Sequence, residues 1–147
     1  MVSEKTIEHT LVLIKPDGVK RQLVGEVISR IEKKGYVISG LKLMEPSLAI
    51  LEKHYEEHKG KHFYQPLVDF MMSGPIVAMV VTGYRVIEGF RNLAGVTDPT
   101  NAAPGTIRGD LAADTGKAVV ENIVHGSDSS QSAAREISIF FPDFPNL

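Results

Sequence analysis

Two unbroken apolar runs, Leu11-Val-Leu-Ile14 and Ile76-Val-Ala-Met-Val-Val81, constrain the fold of this chain more than any other feature. Both fall far short of the roughly 20 apolar residues that a membrane-spanning helix needs, so protein must cover them. Short runs of this kind predict buried strands. The first stops at Lys15-Pro16-Asp17-Gly18, a cluster of turn formers that leaves a lysine at the strand end. The second follows Gly74-Pro75.

Helical periods fill the space between. Leu23, Val24, Val27, Ile28 and Ile31 share one face, and Arg21, Glu26, Arg30 and Glu32 fall largely on the other. Gly35 stops this helix, with Lys33 and Lys34 near its negative end. Tyr36–Met44 reads as a second strand. Ser47 is placed to cap a helix running to about Lys59 and ended by Gly60. Phe63, Leu67, Phe70 and Met71 predict a short helix, and Arg85–Leu93 another. Gly95–Gly109 is a long irregular stretch, a length that in a small domain is usually functional. Ile123-Val124 is the last apolar segment, and Asp128 with Gln131 approximates a capping box for a final helix. Two β-α-β units in this order imply an α+β fold, a ferredoxin-like split β-α-β sandwich. The expectation is an antiparallel four-stranded sheet with helices on one face and a long loop before the Asn122–Ser129 segment. The length suits one domain, residues 1–147.

Charge and composition narrow the function. Lys plus Arg number 16 and Asp plus Glu 18, a net charge of −2, so the footprint of a general nucleic-acid binder is missing and any anion site must be local. Cysteine is absent, which excludes disulfides, zinc-thiolate centres and thiol nucleophiles. The first residues carry no secretory or transit pattern, and the expected location is cytoplasmic. The chain contains neither a P-loop nor a dinucleotide-binding glycine fingerprint, so phosphate chemistry here needs another solution. His54-Tyr55-Glu56-Glu57-His58 lacks the glutamate that a zinc protease places directly after its first histidine, and a solvated helix face explains it better than a metal pair. Arg108-Gly109-Asp110 is read as the end of the long loop rather than as an adhesion tripeptide.

One histidine stands in a setting suited to chemistry. His125 ends an apolar segment; Gly126, Ser127 and Asp128 follow, and a helix begins. If that helix folds back, Glu136 reaches the imidazole and fixes its tautomer, and Ser127 can hold Glu136 in turn.

Four blocks now come together: Thr10-Leu-Val-Leu-Ile-Lys-Pro-Asp-Gly-Val19, Ser73-Gly-Pro-Ile-Val-Ala-Met79, Pro104-Gly-Thr-Ile-Arg-Gly-Asp110 and Asn122-Ile-Val-His-Gly-Ser-Asp-Ser129. Their order resembles that of the nucleoside diphosphate kinase family, from about Lys5 to Phe141. The resemblance implies ping-pong transfer of the γ-phosphate of a nucleoside triphosphate, typically ATP, to a nucleoside diphosphate through a phosphohistidine at His125. It implies that Glu136 orients His125 with Ser127 behind it, and that Lys15 and Tyr55 act at the transferring group. Arg91 and Arg108 would clamp phosphates, Thr97 would add a hydroxyl, Asn122 would bind the sugar and Phe63 would stack on the base. Mg²⁺ would ride on the nucleotide phosphates with no ligand from the protein. The family assembles as hexamers or tetramers built on dimers, with Pro99 in the loop that packs at the trimer contact of hexamers; neither membrane nor specific nucleic acid is implied as partner.

The chain departs from the pattern at three places. The gap from Arg108 to His125 is a few residues long, so Leu111–Glu121 contains a short insertion. Gln22 stands where the family commonly has glycine, with little expected effect. The tail after Phe140 is short beside many eukaryotic members. The alternative reading is a nucleotide-binding regulatory relative with weak turnover, which retention of the whole residue set disfavours.

Overall fold

The computed structural model describes residues 6–145. Residues 1–5, on which the reading of the first residues rests, and residues 146–147 lie outside that range. Strand β1 (Ile7–Ile14) leads into a single helical turn, α1 (Pro16–Lys20), and then α2 (Val24–Lys34) and strand β2 (Val37–Met44). After α3 (Leu48–His54), a 3₁₀ turn (Glu56–His58) and α4 (Tyr64–Met71), the chain enters β3 (Ile76–Tyr84) and α5 (Val86–Ala94). The long loop holds a short helix, α6 (Ile107–Leu111), before β4 (Val124–Gly126) and α7 (Ser130–Phe140).

The strands form one antiparallel sheet in the order β2-β3-β1-β4. That is the split β-α-β arrangement expected. The layering differs from expectation, because helices cover both faces. Val12 and Ile14 of β1, with Val77, Met79 and Val81 of β3, pack against Val27, Ile31 and Phe90 of α2 and α5. The alternate residues Leu11, Leu13, Ala78 and Val80 pack against Leu51, Val68, Met71, Ile137 and Phe140 of α3, α4 and α7. Successive side chains of a strand point to opposite faces, so a continuous apolar run requires two cores. β2 carries polar residues and sits at the edge. Its register slips between Ile38 and Gly40, which leaves Ser39 in a bulge.

Capping explains several of the helix ends. Gly35 takes a left-handed φ of 105° at the end of α2. The Ser47 hydroxyl accepts from the Ile50 amide at 3.2 Å, as expected of a cap. The helix it opens ends sooner than its pattern suggests, at His54, and tightens into the 3₁₀ turn. On α7 the cap is Ser129, whose hydroxyl accepts from the Ser132 amide at 3.1 Å; Asp128 lies one residue outside and turns toward Arg91 instead. Gln22 adopts φ 61°, the left-handed region, which gives the family's glycine at this position a physical reason and makes the substitution a source of strain.

Candidate active site

His125 reaches the site on β4, a three-residue strand held to β1 by pairing with Leu13. Its Nε2 lies 2.8 Å from Oε1 of Glu136. The same oxygen accepts from the Ser127 hydroxyl at 2.8 Å. Ser127 also accepts from the Leu11 amide at 3.1 Å, so the carboxylate is tied through it to the central strand. An ionised carboxylate only accepts, so Nε2 carries a proton, and the neutral tautomer this bond selects has its lone pair on Nδ1. Burial works to raise the Glu136 pKa. The hydrogen bond and charge of His125, then the Ser127 hydroxyl, outweigh it and hold the group below its usual range.

A cleft of about 820 Å³ opens beside this ring, and its walls include Lys15, Arg91, Thr97, Arg108, Asn122 and His125. Lys15 is delivered by the turn after β1 and donates from Nζ to Oδ1 of Asn122 at 2.9 Å. Asn122, almost wholly buried, donates in turn to the Thr97 carbonyl at 2.9 Å. Burial, then repulsion from Arg108, draws the Lys15 ammonium down to about 8, with Asp17 offsetting part of the effect. Burial, then Arg91, likewise draws Arg108 down to about 10.

Arg108 differs in character from a free phosphate clamp. Its Nη1, Nη2 and Nε donate to the carbonyls of Gly95 at 2.8 Å, Val124 at 2.6 Å and Asn122 at 3.2 Å. Three of its five N–H groups therefore brace the loop and β4, and two remain for a ligand. Arg91 is exposed on α5, with Nε 3.9 Å from the Asp128 carboxylate across the mouth of the cleft. Gly126 serves close packing: a Cβ there would meet the Phe90 ring at 2.6 Å.

Tyr55 and Phe63 do not line this cleft. Tyr55 closes α3 and sits in the second core, where burial, then the Glu136 charge, pushes its phenol well above the usual range. Phe63 precedes α4, edge-on to His58 at 5.2 Å between ring centres. His54 lies between Tyr55 and the nucleophile candidate. Expected on a solvated face, it is instead 4% exposed, and its ring stands edge-on to His125 at 4.9 Å and to Phe140 at 5.2 Å. Only its place at the end of an amphipathic turn hinted at burial. Among the described residues no three His, Asp, Glu or Cys side chains gather as a metal would require, and no helix is long and apolar enough to cross a membrane.

A carboxylate-held imidazole opening on a cleft lined by three cations has the chemistry that phosphoryl transfer needs. Residues 8–145 match the family described as nucleoside diphosphate kinase. The nucleoside diphosphate kinase of Streptomyces avermitilis is 60% identical over 136 residues, 92% of this chain and 96% of that protein. That of Pyrococcus furiosus is 54% identical over 135 residues, covering 92% and 83%. The Halobacterium salinarum nucleoside diphosphate kinase, solved in complex with CDP, superposes with a TM-score of 0.88 at 44% identity, covering 94% of this chain and 90% of that one. The chain belongs to the nucleoside diphosphate kinase family, and its activity is phosphoryl exchange between nucleoside tri- and diphosphates.

Proposed function

We propose that His125 is the phosphate acceptor of this kinase and that residues 1–147 form one such domain. The observation that carries the reading is the Glu136 bond to Nε2, which leaves Nδ1 as the basic nitrogen beside the cationic cleft. In the first half-reaction the Nδ1 lone pair attacks the γ-phosphorus of a nucleoside triphosphate. The N–P bond forms, the bond from phosphorus to the β,γ-bridging oxygen breaks, and its electron pair leaves on the diphosphate. The ring gains positive charge as it is phosphorylated, and the Glu136 carboxylate stabilises it. In the second, a terminal oxygen of a different nucleoside diphosphate attacks, and the N–P electrons return to Nδ1. Little covalent work is left to the protein, so positioning and charge dominate.

Placement along the cleft supports the roles given to Lys15, Arg91, Thr97, Arg108 and Asn122. Lys15 and Arg91 face the phosphates, with the two unspent Arg108 donors beside them. Thr97 and Asn122 form the sugar side; for Tyr55, which lies outside the cleft, the family resemblance alone supports a role near the transferring group. For Phe63, also outside the cleft, the family resemblance supports stacking on the base, and stacking accepts any base because all present a π surface. A divalent cation fits the family, and Mg²⁺ is the one proposed: the cleft offers cations rather than a carboxylate cage, so the ion would be carried on phosphate oxygens and water. When bound it neutralises charge on those oxygens. A homo-oligomer, hexamer or tetramer built on dimers, belongs to the same reading; the edge strand β2 exposes Val37, Leu41 and Leu43. So does a cytoplasmic location, which the absence of cysteine suits.

The test is direct. Incubated with ATP labelled at the γ-phosphate, the protein is expected to gain acid-labile label, and His125→Ala is expected to gain none while still binding ADP. Label in that variant would remove His125 from the role.

A further inference from the structure

The residue two positions before His125 is held in a conformation that it would not keep unaided. Ile123 is β-branched, fully buried and at φ 73°. The Val124 amide donates to the Asn122 carbonyl at 2.8 Å across it, so Ile123 is the centre of the rare, strained form of the γ-turn. Such strain persists only where the surroundings over-determine it. Here the surroundings are the turn after β1. The Lys15 amide donates to the Ile123 carbonyl at 2.7 Å. The Ile123 amide donates to Oδ2 of Asp17 at 3.0 Å. Both backbone groups of the strained residue are thus gripped by two residues of one turn, Lys15 and Asp17. Gly18 completes the seat, because a Cβ there would lie 2.8 Å from Ile14 Cγ2 and 3.0 Å from Ile123 Cγ2.

The consequence is geometric. Lys15 presents its ammonium from the same turn, and its Nζ meets Asn122, the neighbour of Ile123. The distance between the lysine charge and the imidazole is therefore set by the grip on Ile123. A peptide released from the left-handed region swings Asn122 and β4 together. We propose that Asp17 is a positioning residue for phosphoryl transfer: by accepting the Ile123 amide it holds the strained γ-turn that fixes Asn122 and His125 against Lys15.

This inference rests on His125 as acceptor, and the experiment separates the two. Single-turnover transfer from saturating labelled ATP is followed at a temperature where circular dichroism shows each protein folded. Failure of the wild type to carry label at His125 would sink the acceptor assignment itself. With label at His125, Asp17→Ala is expected to transfer roughly 10- to 100-fold more slowly, the scale of a small misplacement of reacting groups. Asp17→Asn keeps a side-chain carbonyl to accept from Ile123 and should run at least roughly threefold faster than the alanine variant. A role confined to stability would leave transfer in the folded variants unchanged. Rates for Asp17→Ala like the wild type, or rates for Asp17→Asn as low as those for Asp17→Ala, would overturn the proposal. If Asp17→Ala does not fold, Gly18→Ala keeps the carboxylate and pushes on Ile123 directly. A fall of roughly threefold or more supports the grip, and an unchanged rate overturns it.

Discussion

Lys15 shows how one side chain can be assigned from sequence and yet be defined by its surroundings. Its place at the end of an apolar strand marks it as a cation held at a cleft. Its pKa of about 8 comes from burial and from Arg108, a residue far away in the chain. In the free enzyme the ammonium is charged below that value and loses its proton as pH rises through it. kcat/KM, which reports free-enzyme groups, is therefore expected to fall on the alkaline side from about pH 8. Lys15→Arg should move that limb upward, at some cost in rate from the altered shape. A pH profile flat to pH 10, within roughly twofold, would show that Lys15 is not drawn down or not used. Arg108 makes the same point differently. Sequence gives a guanidinium beside a loop, but only the fold shows that most of its donors are spent on carbonyls.

At the scale of elements, pH acts where the end of α3 packs against α7. His54 is sealed between Tyr55, Phe140 and His125. Burial, then the neighbouring His125, depresses it to about 3, with Glu136 opposing. Its folded value thus lies below the ordinary 6.5 of an unfolded chain. Between those values the unfolded chain binds a proton that the folded one refuses, so this contribution to stability is present above about 6.5 and lost progressively as pH falls toward 3. Glu136, also depressed, acts in the same direction at lower pH. From pH 7 to pH 5 the His54 contribution falls by about 2 kcal/mol. His54→Phe should remove that part of the dependence, read as unfolding free energy in urea at the two pH values. An equal loss in variant and wild type would assign the acid sensitivity elsewhere. The element boundaries were legible in outline because apolar period and caps mark them. The C-terminal end of α3 was not, since nothing local distinguishes a helical turn from the 3₁₀ turn into which packing draws it.

For the whole molecule the decisive fact is a sheet with two cores. Leu13 packs with α3, α4 and α7, and Ile31 of α2 packs on the opposite face. Leu13→Ala and Ile31→Ala should each cost about 2–5 kcal/mol. With a sheet between them their effects should add to within about 0.5 kcal/mol, measured by urea unfolding at neutral pH. Strong coupling would mean that the two layers do not respond as separate cores. The sequence by itself determined the order of strands and helices, the segment that sets His125 before a helix and the family, because these are written in period, turn chemistry and contiguous blocks. The two-sided burial of β1 and β3 departs from the expected single helical face, although their runs carry no polar side. Only the tertiary structure decided that three Arg108 donors brace the long loop and β4, that His54 is walled in, and that the turn after β1 holds Ile123 in a left-handed conformation. Each of these joins residues distant in the chain through a hydrogen bond or ring contact, and such contacts leave no local trace in period, composition or propensity.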